Sequence, residues 1–193
     1  MTSNRLRLLH DWLIRPESGM GLLTYLWLVY LGFFFIEWFF RPVDNFEVGL
    51  TLSTVGLFLA FYFSAFRRRG WMAFVHVIGI ATLSVLWAPV NAGSSVFFIY
   101  AASFAHLVGR PRHSLLVVFG IALTALLTAW LTQPFLFYWI PGAVVSVIIG
   151  IANIVMGEQE RRNAELRLTQ AEVRRLARVA ERERIARDLH DVL

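Results

Sequence analysis

Apolar residues along the chain gather into six long runs separated by short polar stretches. The runs are Gly21–Phe40, Val48–Phe66, Trp71–Val90, Ala92–Val108, Ser114–Gln133 and Phe135–Met156. Each has 17 to 22 residues, and a helix needs ~20 residues to cross ~30 Å of hydrocarbon. The pattern predicts an all-α fold, a polytopic membrane bundle of six spans. The fourth run is the weakest, because its strictly apolar part begins only at Val96.

Arginine placement orients the predicted bundle. One set of termini and loops carries Arg5, Arg7, Arg15, Arg67, Arg68, Arg69, Arg110, Arg112, Arg161 and Arg162. The opposite loops carry only Arg41, which Asp44 and Glu47 offset. By the positive-inside rule, both termini are expected in the cytoplasm.

Composition agrees with a membrane protein. Hydrophobic residues make up 58% of the chain and charged residues only 16%, whereas soluble domains carry roughly 25% charged residues. There is no cysteine, which excludes disulfides, thiol catalysis and cysteine-based metal sites. The net charge of +5 follows from topology, so no nucleic-acid partner is expected. Four tryptophans near predicted span ends suggest an interfacial aromatic belt: Trp38, Trp71, Trp87 and Trp139.

The composition changes abruptly after Gly157. From there to Leu193 the chain has nine arginines, eight acids, and no Gly, Pro, Phe, Trp or Tyr, which favours a helix continuing from the sixth run. Apolar and small residues recur there with 3-4-3-4 spacing, as in the a and d positions of a coiled coil: Leu166, Thr169, Val173, Leu176 and Ala180. This seam predicts a homodimer. The seam slips near Arg182, either as a harmless stutter or as a weak point for switching.

These patterns divide the chain into four parts. Residues 1–20 are expected to form a cytoplasmic segment, either a short interfacial helix or a partly ordered leader. Residues 21–156 form the six-span domain, and residues 157–180 the coiled-coil linker. Residues 181–193 form the last part, where the seam has slipped and a distinct charged motif follows.

The residues from Glu181 to Asp191 read E-R-E-R-I-A-R-D-L-H-D. This stretch resembles the phosphoacceptor helix of two-component sensor histidine kinases of the DesK/NarL branch, whose signature is E-R-x-R-I-A-R-[DE]-L-H-D. Every position of that signature matches. A multi-span bundle followed by a coiled coil is also the arrangement of DesK-type kinases.

The resemblance implies roles for three residues. His190 would be the phosphoacceptor, and a neutral imidazole is a good nucleophile near pH 7. Asp191 would act as general base or orient the imidazole, and Arg187, one turn before His190, would favour an incoming phosphate. The alternative for Arg184, Arg187, Asp188 and Asp191 is a solvated, ion-paired helix face.

The resemblance also implies parts that these 193 residues do not contain. No glycine-rich phosphate-binding segment is present, so no cofactor is expected on this chain and it is expected to be inactive alone. ATP and Mg²⁺ would bind the catalytic domain of a longer kinase, of which this chain is the sensor part ending just after the phosphoacceptor. The implied partners are a second copy, membrane lipids and a cytoplasmic response regulator, and the implied location is the bacterial inner membrane.

Polar residues inside the runs are candidates for sensing, since such groups are costly in a bilayer. Glu37 lies near the outer end of the first run and either marks depth in the bilayer or reaches the outer surface. His76 and His106 lie near cytoplasmic ends, where they pair with each other or with lipid phosphate; without cysteine or nearby carboxylates they make a poor metal site. Asn153 either forms an interhelical hydrogen bond that biases helix rotation or satisfies a neighbouring carbonyl.

The predicted outer loops are too short for a ligand-binding domain, so the cue is expected within the membrane. DesK-type kinases are associated with membrane fluidity or thickness at low temperature, and the resemblance implies such a thermosensor. The alternative is a six-span transporter or channel with a cytoplasmic oligomerisation helix. The runs lack the paired ionisable residues and broken glycine-rich helices that transport sites need.

Overall fold

The computed structural model describes residues 23–132 and 136–192, and every regular element in these ranges is helical. The helices are α1 (Leu23–Trp27), α2 (Asn45–Ala65), α3 (Trp71–Trp87), α4 (Val96–Ser103), α5 (Pro111–Thr132) and α6 (Leu136–Val192). Three 3₁₀ segments are interspersed: η1 (Leu28–Phe39), η2 (Ala92–Ser95) and η3 (Ala105–Leu107). The all-α prediction is confirmed for these ranges, and the expected leader at 1–20 lies outside them.

Three of the described helices are long and apolar enough to cross a membrane: Asn45–Ala65, Pro111–Thr132 and the part of α6 within Trp139–Arg182. Three shorter apolar helical stretches accompany them: Tyr25–Phe39, Trp71–Trp87 and Ala92–Leu107. Six apolar helical segments therefore correspond to the six runs, while their crossing of the bilayer stays a prediction.

The first and fourth runs are not the uniform α-helices that hydropathy suggests. After the five residues of α1, the first run continues as twelve residues of 3₁₀ helix. The fourth run consists of η2, α4 and η3, with Phe104 between the last two. Hydropathy shows how long an apolar segment is. The type of helix that the segment adopts also depends on its contacts with neighbouring elements.

The described residues group into two compact units, one up to Ile154 and one from Val155 onward, and α6 contributes to both. In the first unit, α4 forms the centre and packs against α3, α5 and η1. Its buried residues occupy nearly the whole helix circumference: Val96, Phe97, Phe98, Tyr100, Ala101 and Ala102. Aromatic rings dominate this core, and the ring of Phe97 lies 4.8 Å from that of Phe34 and 5.2 Å from that of Phe58.

The expected aromatic belt is wrong for two tryptophans. Trp87 is 5% exposed and Trp139 is 1% exposed, so both belong to the core. The indole Nε1 of Trp87 donates to Thr54 Oγ1 at 2.9 Å. Trp71 is exposed, as an interfacial residue should be. Position along a run does not reveal which helix face looks inward.

Asp44 and Gly70 lie at the starts of two helices. Asp44 caps α2, since its carboxylate accepts from the backbone N–H of Glu47 at 2.7 Å. Gly70 precedes α3 with φ of 64°, a conformation that favours glycine. Its N–H donates to the carbonyl of Leu107 at 2.9 Å. The chain segments after α2 and after η3 therefore meet at the same end of the unit.

Gly93 permits the closest backbone approach in the turn between α3 and α4. A Cβ atom on Gly93 would lie 2.3 Å from the carbonyl oxygen of Phe33. That separation is far inside van der Waals contact, so any side chain would push η2 away from η1.

We therefore expect Gly93→Ala to lower the free energy of unfolding by about 1–3 kcal/mol, the usual cost of forcing extra atoms into a packed site. Thermal unfolding of the purified protein in detergent, followed by circular dichroism, measures the effect. Gly120→Ala is the matched control, because a Cβ on this helical glycine meets nothing within 4 Å. That change is expected to be neutral or stabilising by up to about 1 kcal/mol. Equal effects at both positions would contradict the proposed close approach.

Candidate sensing and phosphoacceptor sites

The segment with the predicted phosphoacceptor is helical in its backbone through Val192. The side chains of residue 183 and residues 186–192 lie outside the described part of the structure. The roles given to Arg187, His190 and Asp191 therefore stay predictions.

Arg184 is the best-described member of this segment. Its Nη2 donates to Glu181 Oε1 at 2.8 Å and its Nε donates to Glu181 Oε2 at 3.1 Å, a two-point contact within one helix turn. Hydrogen bonding to the Glu181 carboxylate raises the pKa of the Arg184 guanidinium. Arg184 is thus engaged with its own helix, which agrees with the ion-paired-face alternative for this residue.

Similar pairs stabilise the helix upstream. Arg162 lies 3.3 Å from Glu158, and Arg175 lies 3.7 Å from Glu172, at spacings of four and three residues. Charges at these spacings are neighbours on a helix surface. All of these arginines are exposed, so each pair contributes little on its own.

The predicted seam forms an exposed row. Leu166 is 58% exposed, Val173 60% and Leu176 59%, and Ala180 is exposed as well. Aliphatic side chains at a and d positions normally insert into a facing helix. The described part of this chain contains no helix that covers them.

Glu37 lies in a cluster of charges that we call the Arg41 cluster: Glu37, Arg41 and Glu47. The Arg41 guanidinium contacts both carboxylates: its Nε lies 3.4 Å from Glu37 Oε2, its Nη1 donates to Glu47 Oε2 at 2.9 Å, and its Nη2 donates to Glu47 Oε1. Arg41 Nη2 also donates to the carbonyl of Val90 at 3.1 Å. Hydrogen bonding to Glu47 is the main cause that raises the pKa of Arg41.

The second carboxylate oxygen of Glu37 reaches the turn before α4, where Oε1 accepts from the backbone N–H of Ala92. Glu37 is only 18% exposed at its side chain. Its carboxylate therefore ties η1 to the 90–92 turn and does not extend freely into solvent. The depth-marker role stays a prediction, now with defined partners.

Asn91 was not among the residues that hydropathy selects, yet it is the most connected polar residue in this turn. Its Nδ2 donates to the carbonyl of Phe34 at 2.8 Å, and its Oδ1 accepts from the N–H of Gly93 at 2.8 Å. It is 1% exposed. A single Asn between two apolar runs forms no sequence pattern that predicts a role for it. Its role is evident only from the groups that it contacts in the structure.

Asn153 forms an interhelical hydrogen bond. Its Nδ2 donates to the carbonyl of Ser103, at the end of α4, at 3.0 Å. The same carbonyl lies 2.8 Å from His106 Nδ1. Asn153 and His106 thus meet at one backbone oxygen, and both line a cavity of about 50 Å³ beside Tyr62 and Tyr100.

His76 has a different environment. Its Nδ1 lies 2.6 Å from the carbonyl of Met72 in the preceding turn. Its ring meets that of Phe61 edge to face at 5.7 Å. Among the described residues, no group of three or more His, Asp or Glu side chains is arranged to hold a metal ion.

Comparisons with known proteins address the family. No protein-family description matches the chain, and no solved structure matches it. The chain is 32% identical over 186 residues to "Sensor histidine kinase DesK" of Bacillus subtilis (strain 168), and the match covers 90% of this chain and 48% of DesK. The chain therefore spans about half the length of this relative. The comparison confirms the relationship inferred from the Glu181–Asp191 motif: the chain is homologous to DesK-like sensor histidine kinases and corresponds to a membrane sensor region.

Proposed function

We propose that this chain is the membrane-embedded sensor part of a two-component histidine kinase, which reads a property of the bilayer and passes it through a dimeric coiled coil to His190. The similarity to DesK across 90% of the chain is the observation that carries the proposal. The matching motif at Glu181–Asp191 supports it independently of hydropathy.

Contacts between loops support a six-span arrangement. Arg41 and Glu37 contact residues 90–92, so the connections that follow the first and third runs lie together at one end of the unit. Gly70 contacts Leu107, so the connections that follow the second and fourth runs lie together at the other end. The second group adjoins Arg67–Arg69, Arg110 and Arg112, which supports assigning it to the cytoplasmic end under the positive-inside rule.

The shorter apolar segments are long enough for a bilayer. The twelve 3₁₀ residues of η1 rise ~2.0 Å each and cover about 24 Å, to which α1 adds about 7 Å. The seventeen residues of α3 cover about 26 Å. These lengths are close to the hydrocarbon thickness of ~30 Å.

The exposed seam supports a dimer as the working state. Pairing two copies through Leu166, Val173 and Leu176 would remove three half-exposed aliphatic side chains per chain from water. In this arrangement a bilayer cue would change the packing or register of the two tails. Beyond Ala180 the seam register would place charged residues between the two helices, which disfavours that register there.

The chemistry proposed for His190 follows from the family resemblance. A neutral ring nitrogen of His190 attacks the γ-phosphorus of ATP, a N–P bond forms, and the bond to the bridging oxygen of ADP breaks. The proton lost from the imidazole passes to a nearby base, the role given to Asp191. ATP and Mg²⁺ would be bound by the catalytic part of the parent kinase, and a response regulator would receive the phosphoryl group.

We expect His190→Gln to abolish phosphorylation. Residues 1–193 joined to the remaining part of a DesK-type kinase, in liposomes with radiolabelled ATP, should incorporate acid-labile phosphate in the unsubstituted protein and less than about 1% of it in the variant, because glutamine offers no nucleophilic nitrogen. His113→Gln, an exposed position near the start of α5, is the control and should keep full labelling. Liposomes of short and long acyl chains should differ in labelling if the cue is bilayer thickness. No labelling of a folded dimer would favour the transporter or channel alternative.

We also expect the tail to form a parallel dimer in the predicted register. The chain has no cysteine, so Val173→Cys introduces a single thiol at a seam position, and mild oxidation in membranes should convert most of the protein to a disulfide-linked dimer. Ala171→Cys, on the opposite face of the same helix turn, is the matched control and should cross-link at least about tenfold more slowly because the two thiols would face apart. Equal cross-linking at both positions would refute the seam.

A further inference from the structure

The first apolar run contains an unusually long 3₁₀ helix. Runs of 3₁₀ helix rarely exceed 3–4 residues, whereas η1 extends over twelve residues from Leu28 to Phe39. A 3₁₀ helix rises ~2.0 Å per residue and an α-helix ~1.5 Å. The same twelve residues would therefore be about 6 Å shorter as an α-helix.

The side chains of η1 show why the 3₁₀ form fits its surroundings. Leu28, Leu31, Phe34 and Glu37 follow at intervals of three. With 3.0 residues per turn these positions stand in one straight row, and Leu31 and Phe34 are 8% and 0% exposed in the core. In an α-helix each step of three falls about 60° short of a full turn. Leu28 and Glu37 would then point to opposite sides.

Contacts from the 91–100 region hold η1 at both ends. Tyr100 donates its hydroxyl to the carbonyl of Trp27 at 2.8 Å, and Asn91 donates to the carbonyl of Phe34 at 2.8 Å. The N–H of Ala92 donates to the Glu37 carboxylate. These partners compensate for the weaker hydrogen-bond geometry inside a 3₁₀ helix.

A second row on η1 lines a cavity that α6 also borders. Tyr30, Phe33 and Ile36, again at intervals of three, line a cavity of about 280 Å³ whose opposite wall includes Pro141 and Gly142. The cavity leaves room for these side chains to turn. A change of helix type would rotate this row and so change the shape of the cavity that it shares with Pro141 and Gly142.

We propose that η1 exchanges between the observed 3₁₀ form and a shorter α-helical form, and that bilayer thickness selects between them. A thick bilayer favours the longer 3₁₀ form, with Glu37 bound to Ala92. A thin bilayer favours the α-helical form, which withdraws the Glu37 carboxylate from the turn and rotates the row that lines the cavity shared with α6. The length difference of about 6 Å is similar to the range of thickness among natural membranes. This inference rests on the proposed function, since it names the element that would respond to the bilayer.

Distances between spin labels test the exchange directly. Leu26→Cys and Phe40→Cys flank η1, and both positions are exposed. Leu116→Cys and Trp130→Cys in α5 have the same separation of fourteen residues and are also exposed; they form the control pair. Both pairs are placed in the fusion kinase described above, in which residues 1–193 contribute no competing thiol and any cysteine of the joined kinase part is replaced by serine. Pulsed electron paramagnetic resonance is then recorded in phosphatidylcholine vesicles with acyl chains of about 14 and about 22 carbons, which span the thickness range that mismatch acts on.

We expect the distance between labels at 26 and 40 to be about 6 Å longer in the thick vesicles, while the α5 distance stays constant. Tyr100→Phe, which removes only the hydroxyl bound to Trp27, should increase the population at the short distance in thick vesicles. A distance across η1 that is the same in both vesicles, or equal changes in both pairs, would overturn the exchange.

Phosphorylation measured on the same vesicles separates the two proposals. If labelling of His190 follows thickness while the η1 distance is constant, the bilayer sensor stands and the exchange is refuted. If the distance changes while labelling is constant, the exchange stands and its coupling to the kinase is refuted. If neither changes, both the exchange and the thickness cue are refuted.

Discussion

Backbone groups in an apolar environment must find hydrogen-bond partners within the protein, and this constraint governs the turn between α3 and α4. The segment from Ala88 to Ser95, which includes η2, separates the α-helices α3 and α4 and lies beside buried core residues. Ser84 and Ser94 each donate a hydroxyl to the other's carbonyl, at 2.7 and 3.2 Å. Asn91 binds the carbonyl of Phe34 and the N–H of Gly93, and Glu37 binds the N–H of Ala92. These four polar side chains therefore hydrogen-bond to backbone groups in and around the turn.

These hydrogen bonds change how Glu37 of the first run is interpreted. Glu37 is an expensive residue for a membrane segment, and its position alone suggests either a sensor or a group that reaches water. Its contacts with Arg41 and Ala92 make it the link between η1 and the turn that leads into the buried helix α4. Under the proposed function, this link is a route by which a cue acting on η1 could reach α4, which packs against several other helices.

Both ends of the first unit contain polar contacts. One end has the ionic Arg41 cluster and the Asn91 turn. At the other, the carbonyl of Ser103 accepts from Asn153 of α6. A single neutral hydrogen bond contributes roughly 1 kcal/mol, so Asn153 suits an adjustable contact better than a permanent one. Asn153 lies on α6, the helix that also carries the predicted seam.

The sequence by itself determined the helical class, the position of the apolar segments and the family. Runs of about 20 apolar residues admit little besides helices in a bilayer, and the eleven-residue motif is specific enough to identify a kinase relationship that DesK then confirmed. The lack of Gly and Pro after Gly157 was sufficient to predict the long helix that is described through Val192. These features are local, so they can be read from neighbouring residues.

Only the tertiary structure decided which side chains face inward and which helix type the first run adopts. Trp87 and Trp139 looked interfacial by position and are buried, because burial depends on the neighbours of a helix face and not on depth along a run. The three-residue spacing of Leu28, Leu31 and Phe34 is visible in the sequence, but the hydrogen bonds from Tyr100 to Trp27 and from Asn91 to Phe34, across more than fifty residues, are not. Such long-range hydrogen bonds leave no periodic trace in hydropathy, so the helix type of this run could not be predicted from the run itself.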